Sequence, residues 1–492
     1  MSLHVTPVSL QDALQPNLYI DGAFREASKG EVLDVINPTT GTKMASVAAG
    51  DASDIDAAVQ AAHRQFEEGA WRRLSGADRG KLMFRVADLI ERDLNLIAAM
   101  EATDNGKPVG MAANVDLPNT IDTLRYYAGW ADKLEGRSIP TAGAFGRPTL
   151  SYTIREPLGV VGSIGAYNAP TMYIGWKCAA ALAAGNTVVL KPAEEAPLTS
   201  LYIAKLFAEA GVPNGVFNVV SGYGPVAGMA LLRHPLVAKV SYTGGGAVGR
   251  LLAKEAAELL KPITLELGGK APMIVLGDAD LDAAIPFLAM GLFANQGQIC
   301  AAGTRILVHR SRLDAVAEAL GTVAKQQVLG DPLDAATTMG PLTTQRSLDR
   351  VLGYINTGRS EGAKLIAGGE RVKRDGYFVQ PTIFKGHNDM RVAREEIFGP
   401  VGVLIPFDSN EEALQIANAT EYGLNAGIFS RDLRAANLLA RGIRTGAVWI
   451  NGFGLIDARL PWGGVKASGY GRENGAAGLD DVTHEKVVTT LL

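Results

Sequence analysis

The middle of the chain alternates short apolar runs with longer helix-like ones. Gly159-Val160-Val161-Gly162-Ser163-Ile164, Thr187-Val188-Val189-Leu190, Val216-Phe217-Asn218-Val219-Val220, Ala238 to Tyr242 and Ile263 to Leu267 have strand length and buried-type composition. Between them lie helical patterns running through Trp176 to Ala184, Leu198 to Ala210, Pro225 to Leu232 and Ala247 to Leu260. Continuous apolar strands separated by helices predict a parallel sheet covered on both faces. That is a nucleotide-binding type of fold, although a fold alone does not name its ligand.

Upstream, Tyr19-Ile20-Asp21-Gly22 reads as a hairpin and Val32 to Ile36 as a strand stopped by Asn37-Pro38. Ile55, Val59, Ala62 and Phe66 recur at helical spacing behind Ser53, a candidate N-cap. A second helix is expected from Ser75, with Leu82, Val86, Leu89 and Ile90 on one face. A third is expected from Val115 to Leu134. Residues 136–157 read as an extended excursion ended by Pro157.

Downstream of Gly268-Gly269 a second α/β region starts at Pro272 to Leu276. It continues through a helix-like run from Leu281 to Ala294, a strand at Thr304 to His309 and a helix at Leu313 to Val323. Further strands are expected at Phe378 to Phe384, Val401 to Phe407 and Ala447 to Ile450. The tail Val482 to Leu492 is a strand in need of an edge, and a second subunit is expected to supply it.

Several polar residues share one habit. Asn168 follows the first strand of the alternating region, Lys191 and Glu194 follow the second, and Glu266 ends the fifth. In open α/β sheets the C-terminal rim of the strands is where ligands bind. Gly222-Tyr223-Gly224-Pro225 reads as a turn on the same rim. Thr243-Gly244-Gly245-Gly246-Ala247-Val248-Gly249 contains G-x-G-x-x-G between a strand and a helix, where free amides suit a pyrophosphate. The dinucleotide fingerprint belongs to a first strand and its acid to a second. Here the glycines follow the fourth strand and Glu266 ends the last, so Glu266 needs another role.

Asn295-Gln296-Gly297-Gln298-Ile299-Cys300-Ala301-Ala302-Gly303 breaks the chain between a helix and a strand and holds one of two cysteines. A thiolate at such a break can face a cleft and attack a carbonyl. A buried cysteine behaving as a small hydrophobe is the competing reading, and it is the one that suits Cys178 in its Ala-rich helix.

Composition narrows the choice. At 492 residues, two or three domains are expected. A net charge of -4 offers no basic field for nucleic acid and no polybasic membrane patch. Two cysteines exclude a disulfide framework and fit a reducing compartment. Met1-Ser2-Leu3-His4-Val5 shows no signal-peptide pattern and no apolar run reaches membrane-spanning length, so a cytoplasmic enzyme is expected. The six histidines lack metal-ligand spacing, and no metal is expected.

Taken in order, the motifs resemble the aldehyde dehydrogenase superfamily. They are Ala166-Tyr167-Asn168-Ala169-Pro170, Lys191-Pro192-Ala193-Glu194, Thr243 to Gly249, Leu265-Glu266-Leu267-Gly268-Gly269-Lys270 and Gly297-Gln298-Ile299-Cys300. Glu395-Glu396-Ile397-Phe398-Gly399-Pro400 and Pro461-Trp462-Gly463-Gly464-Val465-Lys466-Ala467-Ser468-Gly469 complete the set. The resemblance runs from about residue 18 to the C-terminus and implies an α/β fold of three parts. These are a Rossmann-like coenzyme domain (1–134 and 158–266), a second α/β catalytic domain (267–468) and a small β oligomerisation arm (135–157 with 469–492). A homodimer or homotetramer is implied.

The resemblance also implies roles. Cys300 is the nucleophile, Asn168 and the Cys300 N–H hold the oxyanion, and Glu266 activates the water that releases the acid. A glutamate there separates the chain from the CoA-acylating branch. Lys191 and Glu194 match adenosine-ribose positions, which implies NAD, with NADP less preferred. Gly224, Gly244, Gly245, Gly249 and Leu267 fall on the cofactor side, and Glu396 and Phe398 match the nicotinamide-ribose region. Gly245 stands where a serine is common. The implied substrate pocket is Asn119, Ala169, Met172, Tyr173, Trp176, Ile299, Ile456 and Trp462. Ala169 replaces a frequent bulky aromatic, which points to a bulky apolar or aromatic aldehyde. Arg459 offers the alternative of a carboxylate-bearing semialdehyde. A non-catalytic protein on the same fold is the reading from another class.

Overall fold

The computed structural model describes residues 13–492; the Met1 to Val5 stretch read for a targeting signal lies outside them. The alternating region forms the expected sheet. Val237–Gly244, Val160–Ile164, Thr187–Lys191 and Phe217–Val219 run parallel, with Ile263–Leu267 parallel to Val237–Gly244. The hairpin Leu18–Ile20 and Ala23–Arg25, turned by Asp21 and Gly22 at positive φ, extends one edge. Gly469–Tyr470 extends the other, placing Gly469 opposite Glu266. That short strand, numbered with the arm in the sequence division, thus pairs with the coenzyme sheet.

The second sheet has seven strands. In spatial order these are Lys364–Ala367, Thr382–Lys385, Val401–Phe407, Arg305–His309, Pro272–Val275, Asn425–Phe429 and Ala447–Ile450. Only Lys364–Ala367 pairs antiparallel. The Phe378 to Phe384 expectation shortens to Thr382–Lys385. Apolar clusters cover both sheets, and one of them carries Met172, Trp176, Trp449, Phe453 and Trp462 together.

The C-terminal strand needs no second subunit. Thr483–Leu491 pairs antiparallel along all of Thr149–Pro157, and Ser138–Ile139 joins that strand to make a three-stranded sheet. The expected edge therefore lies in the same chain. Two helix ends also differ from the pattern. Asp51, rather than Ser53, caps Ala52–Glu67, because its carboxylate reaches the Ser53 and Asp54 amides while Asp54 reaches back. The third helix stops at Ala128 before Gly129, and its first turn is π-helical over Ala112–Asp116. Among the described residues no helix is long and apolar enough to cross a membrane.

Candidate active site

Helix Pro170–Ala184 is buried along its whole length, so the turn before it is held rigidly. Its Thr171 N–H donates to Glu101 Oε2 at 3.3 Å, a carboxylate at a helix N-terminus. Glu101 in turn binds Lys107 at 2.6 Å, and Lys107 also pairs with Asp116, all three buried. Asn105 Nδ2 donates to the Tyr167 carbonyl and Asn295 Nδ2 to the Asn168 carbonyl at 2.8 Å. Asn168 is thus gripped on both sides of its backbone.

The Cys300 turn is fixed by an unusual backbone. Asn295, Gln296 and Gly297 take φ of 47°, 55° and 69° in succession. Non-glycine residues held there cost on the order of 1–3 kcal/mol each. Side chains over-determine the shape: Gln296 Nε2 donates to the Gly106 carbonyl at 2.7 Å, and Gln298 Oε1 accepts from the Thr343 N–H at 3.1 Å. A Cβ on Gly297 would stand 2.3 Å from the Gly399 carbonyl, so only glycine fits. Cys300 emerges half-buried. Burial, then the Glu266 and Glu396 carboxylates, push its thiol up to about 12. The resting thiol therefore keeps its proton.

Glu266, the penultimate residue of its strand, is 4% exposed, and among the described residues its Oε1 has no partner. Burial, then Glu473, hold its carboxyl well above the carboxylate range. Gly268-Gly269 let three segments meet there. A Cβ on Gly268 would lie 2.1 Å from Glu396 Oε2, and one on Gly269 would lie 2.7 Å from the Cys300 carbonyl. The Gly269 N–H donates to Glu396 Oε1 at 3.3 Å. Gly469, opposite Glu266, has φ 113° and ψ -166°, and a Cβ there would meet the Leu265 carbonyl at 1.9 Å. Gly469→Ala is expected to lower stability by about 2–3 kcal/mol or more. A urea or thermal unfolding midpoint equal to that of the wild type would contradict this.

The rim of the first sheet carries the cofactor candidates. Lys191 Nζ donates to Glu194 Oε2 at 2.7 Å. Burial alone would raise the Glu194 carboxyl, but Lys191 together with the Glu194 and Gly224 backbone amides keeps it below its ordinary value. Helix Gly246–Glu258 has no side-chain cap, leaving its first amides free. A Cβ on Gly224 or Gly245 would meet nothing within 4 Å, so both glycines border open space. Gly244 and Gly249 serve close packing instead: a Cβ would stand 2.1 Å from the Tyr242 hydroxyl and 2.5 Å from Leu267, respectively. Free amides, an ionised carboxylate and an open rim fit a dinucleotide. Phe398 sits at φ 61° with its ring edge-on to Tyr167, centroids 5.9 Å apart.

Cys300 packs against a cluster that carries an aromatic wall. Trp176 and Trp462 lie 5.7 Å apart, Trp449 and Trp462 6.2 Å, and Trp449 and Phe453 4.9 Å. Ala169, Ile299 and Ile456 pack half-buried against the same cluster as Met172. Trp176 Nε1 donates to Asn119 Oδ1 at 2.7 Å. Tyr173 turns towards Asn168, to whose Oδ1 its hydroxyl donates at 2.8 Å. A surface cavity of about 790 Å³ between Asn388 and Glu421 holds none of the residues singled out except Glu395 of a quoted motif.

A family model described as "Aldehyde dehydrogenase family" matches residues 24–488. The chain belongs to this family. The mitochondrial benzaldehyde dehydrogenase of Antirrhinum majus is 44% identical over 99% of this chain and 90% of its own length. The human mitochondrial aldehyde dehydrogenase is 46% identical, covering 96% and 91%. A solved NAD+ complex of the Bacillus cereus aldehyde dehydrogenase superposes with a TM-score of 0.97, at 44% identity and full coverage of both chains. The aldehyde dehydrogenase fold expected from the motifs is the fold observed.

Within this aldehyde dehydrogenase scaffold the motif-based reading passed over two groups. Lys177 Nζ binds Glu473 Oε1 at 2.7 Å and Ser241 Oγ at 3.0 Å, while Ser241 Oγ donates to Glu473 at 2.8 Å. Glu473 also pairs with the Trp462 backbone in both directions, tying the aromatic wall to the neighbour of Glu266. Lys270, quoted only as the end of a motif, is fully buried, and among the described residues its Nζ has no partner. Burial, then Arg305, push its amine down to about 7. A lysine in Gly-Gly-Lys carries no sign of such burial in its own sequence.

Proposed function

We propose that the chain oxidises an aldehyde to its carboxylic acid with NAD, through an acyl group carried on Cys300 and released by Glu266. Membership of the aldehyde dehydrogenase family and the NAD complex of a relative of equal length support the reaction class and the cofactor. The observation that carries the site reading is the meeting of the Cys300 turn, the Glu266 strand end and Glu396 across Gly268-Gly269.

The steps follow from these residues. The thiol proton of the half-buried Cys300 is lost to solvent as sulfur bonds the carbonyl carbon, and the C=O pair becomes an oxyanion. Asn168 Nδ2 and the Cys300 N–H hold that charge; losing such a donor costs roughly 2.7–4 kcal/mol of barrier. NAD, when bound, supplies the hydride acceptor, and Lys191, Glu194, Glu396 and the free amides of Gly246–Glu258 hold it. Glu194 favours a ribose hydroxyl over a 2′-phosphate, hence NAD over NADP. Glu266 then takes a proton from water, the water oxygen bonds the thioester carbon, and the C–S bond breaks to return the thiolate.

For the substrate we infer a bulky apolar or aromatic aldehyde. Trp176, Trp462, Trp449 and Phe453 supply an apolar wall, and Ala169 leaves it without a bulky neighbour at that position. The benzaldehyde dehydrogenase among the relatives agrees. Arg459, the alternative anchor for a carboxylate, is exposed and engaged by Asp457 at 2.7 Å. Benzaldehyde is expected to exceed acetaldehyde in kcat/KM by about tenfold or more with NAD, as one or two well-buried ring contacts provide. A preference for acetaldehyde would sink this assignment, and a product that changes on adding CoA would overturn hydrolytic release. The three-part domain division, cytoplasmic location and assembly through the arm of Ser138–Ile139, Thr149–Pro157 and Thr483–Leu491 belong to the same reading. The exposed Leu150, Tyr152, Ile154 and Val487 on that arm support self-association.

A further inference from the structure

An amide side chain can present either its oxygen or its NH2 to the same point, and the two ends are nearly equal in size. For Asn168 the difference decides chemistry. With NH2 outward it donates to a developing oxyanion, and with oxygen outward it repels one. The backbone contacts at Tyr167 and Asn168 fix the turn but leave this half-rotation of the side chain open.

We propose that Tyr173 is a positioning residue whose hydroxyl fixes the Asn168 amide with its NH2 towards the substrate carbonyl oxygen, an inference that rests on the role given to Asn168 above. The Tyr173 hydroxyl donates to Asn168 Oδ1 at 2.8 Å, and both residues are about 5% exposed, so no water competes freely. Tyr173 lies one turn into the fully buried helix that Asn168 precedes, and its N–H donates to the Ala169 carbonyl at 3.2 Å. Its side chain lies against Gly165, where a Cβ would be 3.6 Å from the Tyr173 Cβ and 3.7 Å from the ring, and Lys177 Nζ stands 5.7 Å from the ring centroid. Ring and hydroxyl are therefore held from several sides. Burial above all keeps the phenol well above its ordinary value, so it retains the proton it donates. A donor on Oδ1 also polarises the amide and strengthens the N–H that faces the oxyanion. Tyr173, first assigned to the pocket lining, is on this account part of the oxyanion support.

Tyr173→Phe keeps the ring and removes the hydroxyl. Two rates test it: the NADH burst with aldehyde, and hydrolysis of 4-nitrophenyl acetate without cofactor, which passes through the same kind of oxyanion. Each is expected to fall about tenfold, as loss of one buried hydrogen bond does, with KM for the aldehyde within about twofold. In an Asn168→Ala background the same Tyr173→Phe change should alter either rate by less than about twofold. An equal loss in both backgrounds, or no loss in the parent, overturns the proposal. Full activity of Asn168→Ala alone would instead overturn the oxyanion role of Asn168 itself.

Discussion

Cys300→Ala is expected to lower aldehyde oxidation by on the order of 10⁴-fold or more, with the unfolding midpoint little changed. No second sulfur can take over. Cys178 is fully buried within a helix that is itself buried along its whole length, so an aldehyde cannot reach its sulfur, whereas Cys300 is only half-buried. The turn at Cys300, by contrast, is held by Asn295, Gln296 and Gln298 in a shape that the sulfur does not itself maintain. Removing the sulfur should therefore leave the scaffold intact. NADH formation followed at 340 nm decides the matter, and a residual rate within tenfold of wild type would exclude a thioester route.

Glu266→Gln separates the two halves of the reaction. The variant is expected to give a full-amplitude burst of NADH followed by turnover slowed about 10²–10⁴-fold, the usual worth of a general base. The pH dependence carries the same signature. Burial and Glu473 hold the Glu266 carboxyl well above its ordinary value, so the ionised base is lost as pH falls through that raised value. Raising the pH ionises it, so steady-state turnover limited by acyl release should climb with pH and level off once Glu266 is charged. In Glu266→Gln that climb should vanish. Equal loss of burst and turnover would contradict a role confined to acyl release.

The parallel sheet was legible because its strands are apolar on both faces, which few other structures require. The rim residues were legible because a strand end fixes where a side chain stands. Asn168, Lys191, Glu194 and Glu266 could all be placed in this way before their neighbours were known. The Cys300 stretch by itself does not separate a reactive turn from a packed one; the resemblance singled it out, and in space its carbonyl lies against Gly269 while Glu396 lies against Gly268. The Lys177, Ser241 and Glu473 network joins residues up to 296 positions apart and leaves no local pattern. Asn425–Phe429 escaped notice because Gly427 interrupts its apolar run, and a side chain there would meet Phe453 at 2.8 Å. The tail was read as a strand correctly, but its edge was sought on another subunit, because an edge more than 300 residues earlier in the chain is invisible to periodicity.

The most direct measurement is to mix the Glu266→Gln variant with NAD and benzaldehyde, quench in acid within the burst and map the mass of every cysteine peptide. A benzoyl-sized increment is expected on the Cys300 peptide, in proportion to the NADH released, and none on the Cys178 peptide. NADH formed with an unmodified Cys300 peptide, or an increment on Cys178, would contradict it.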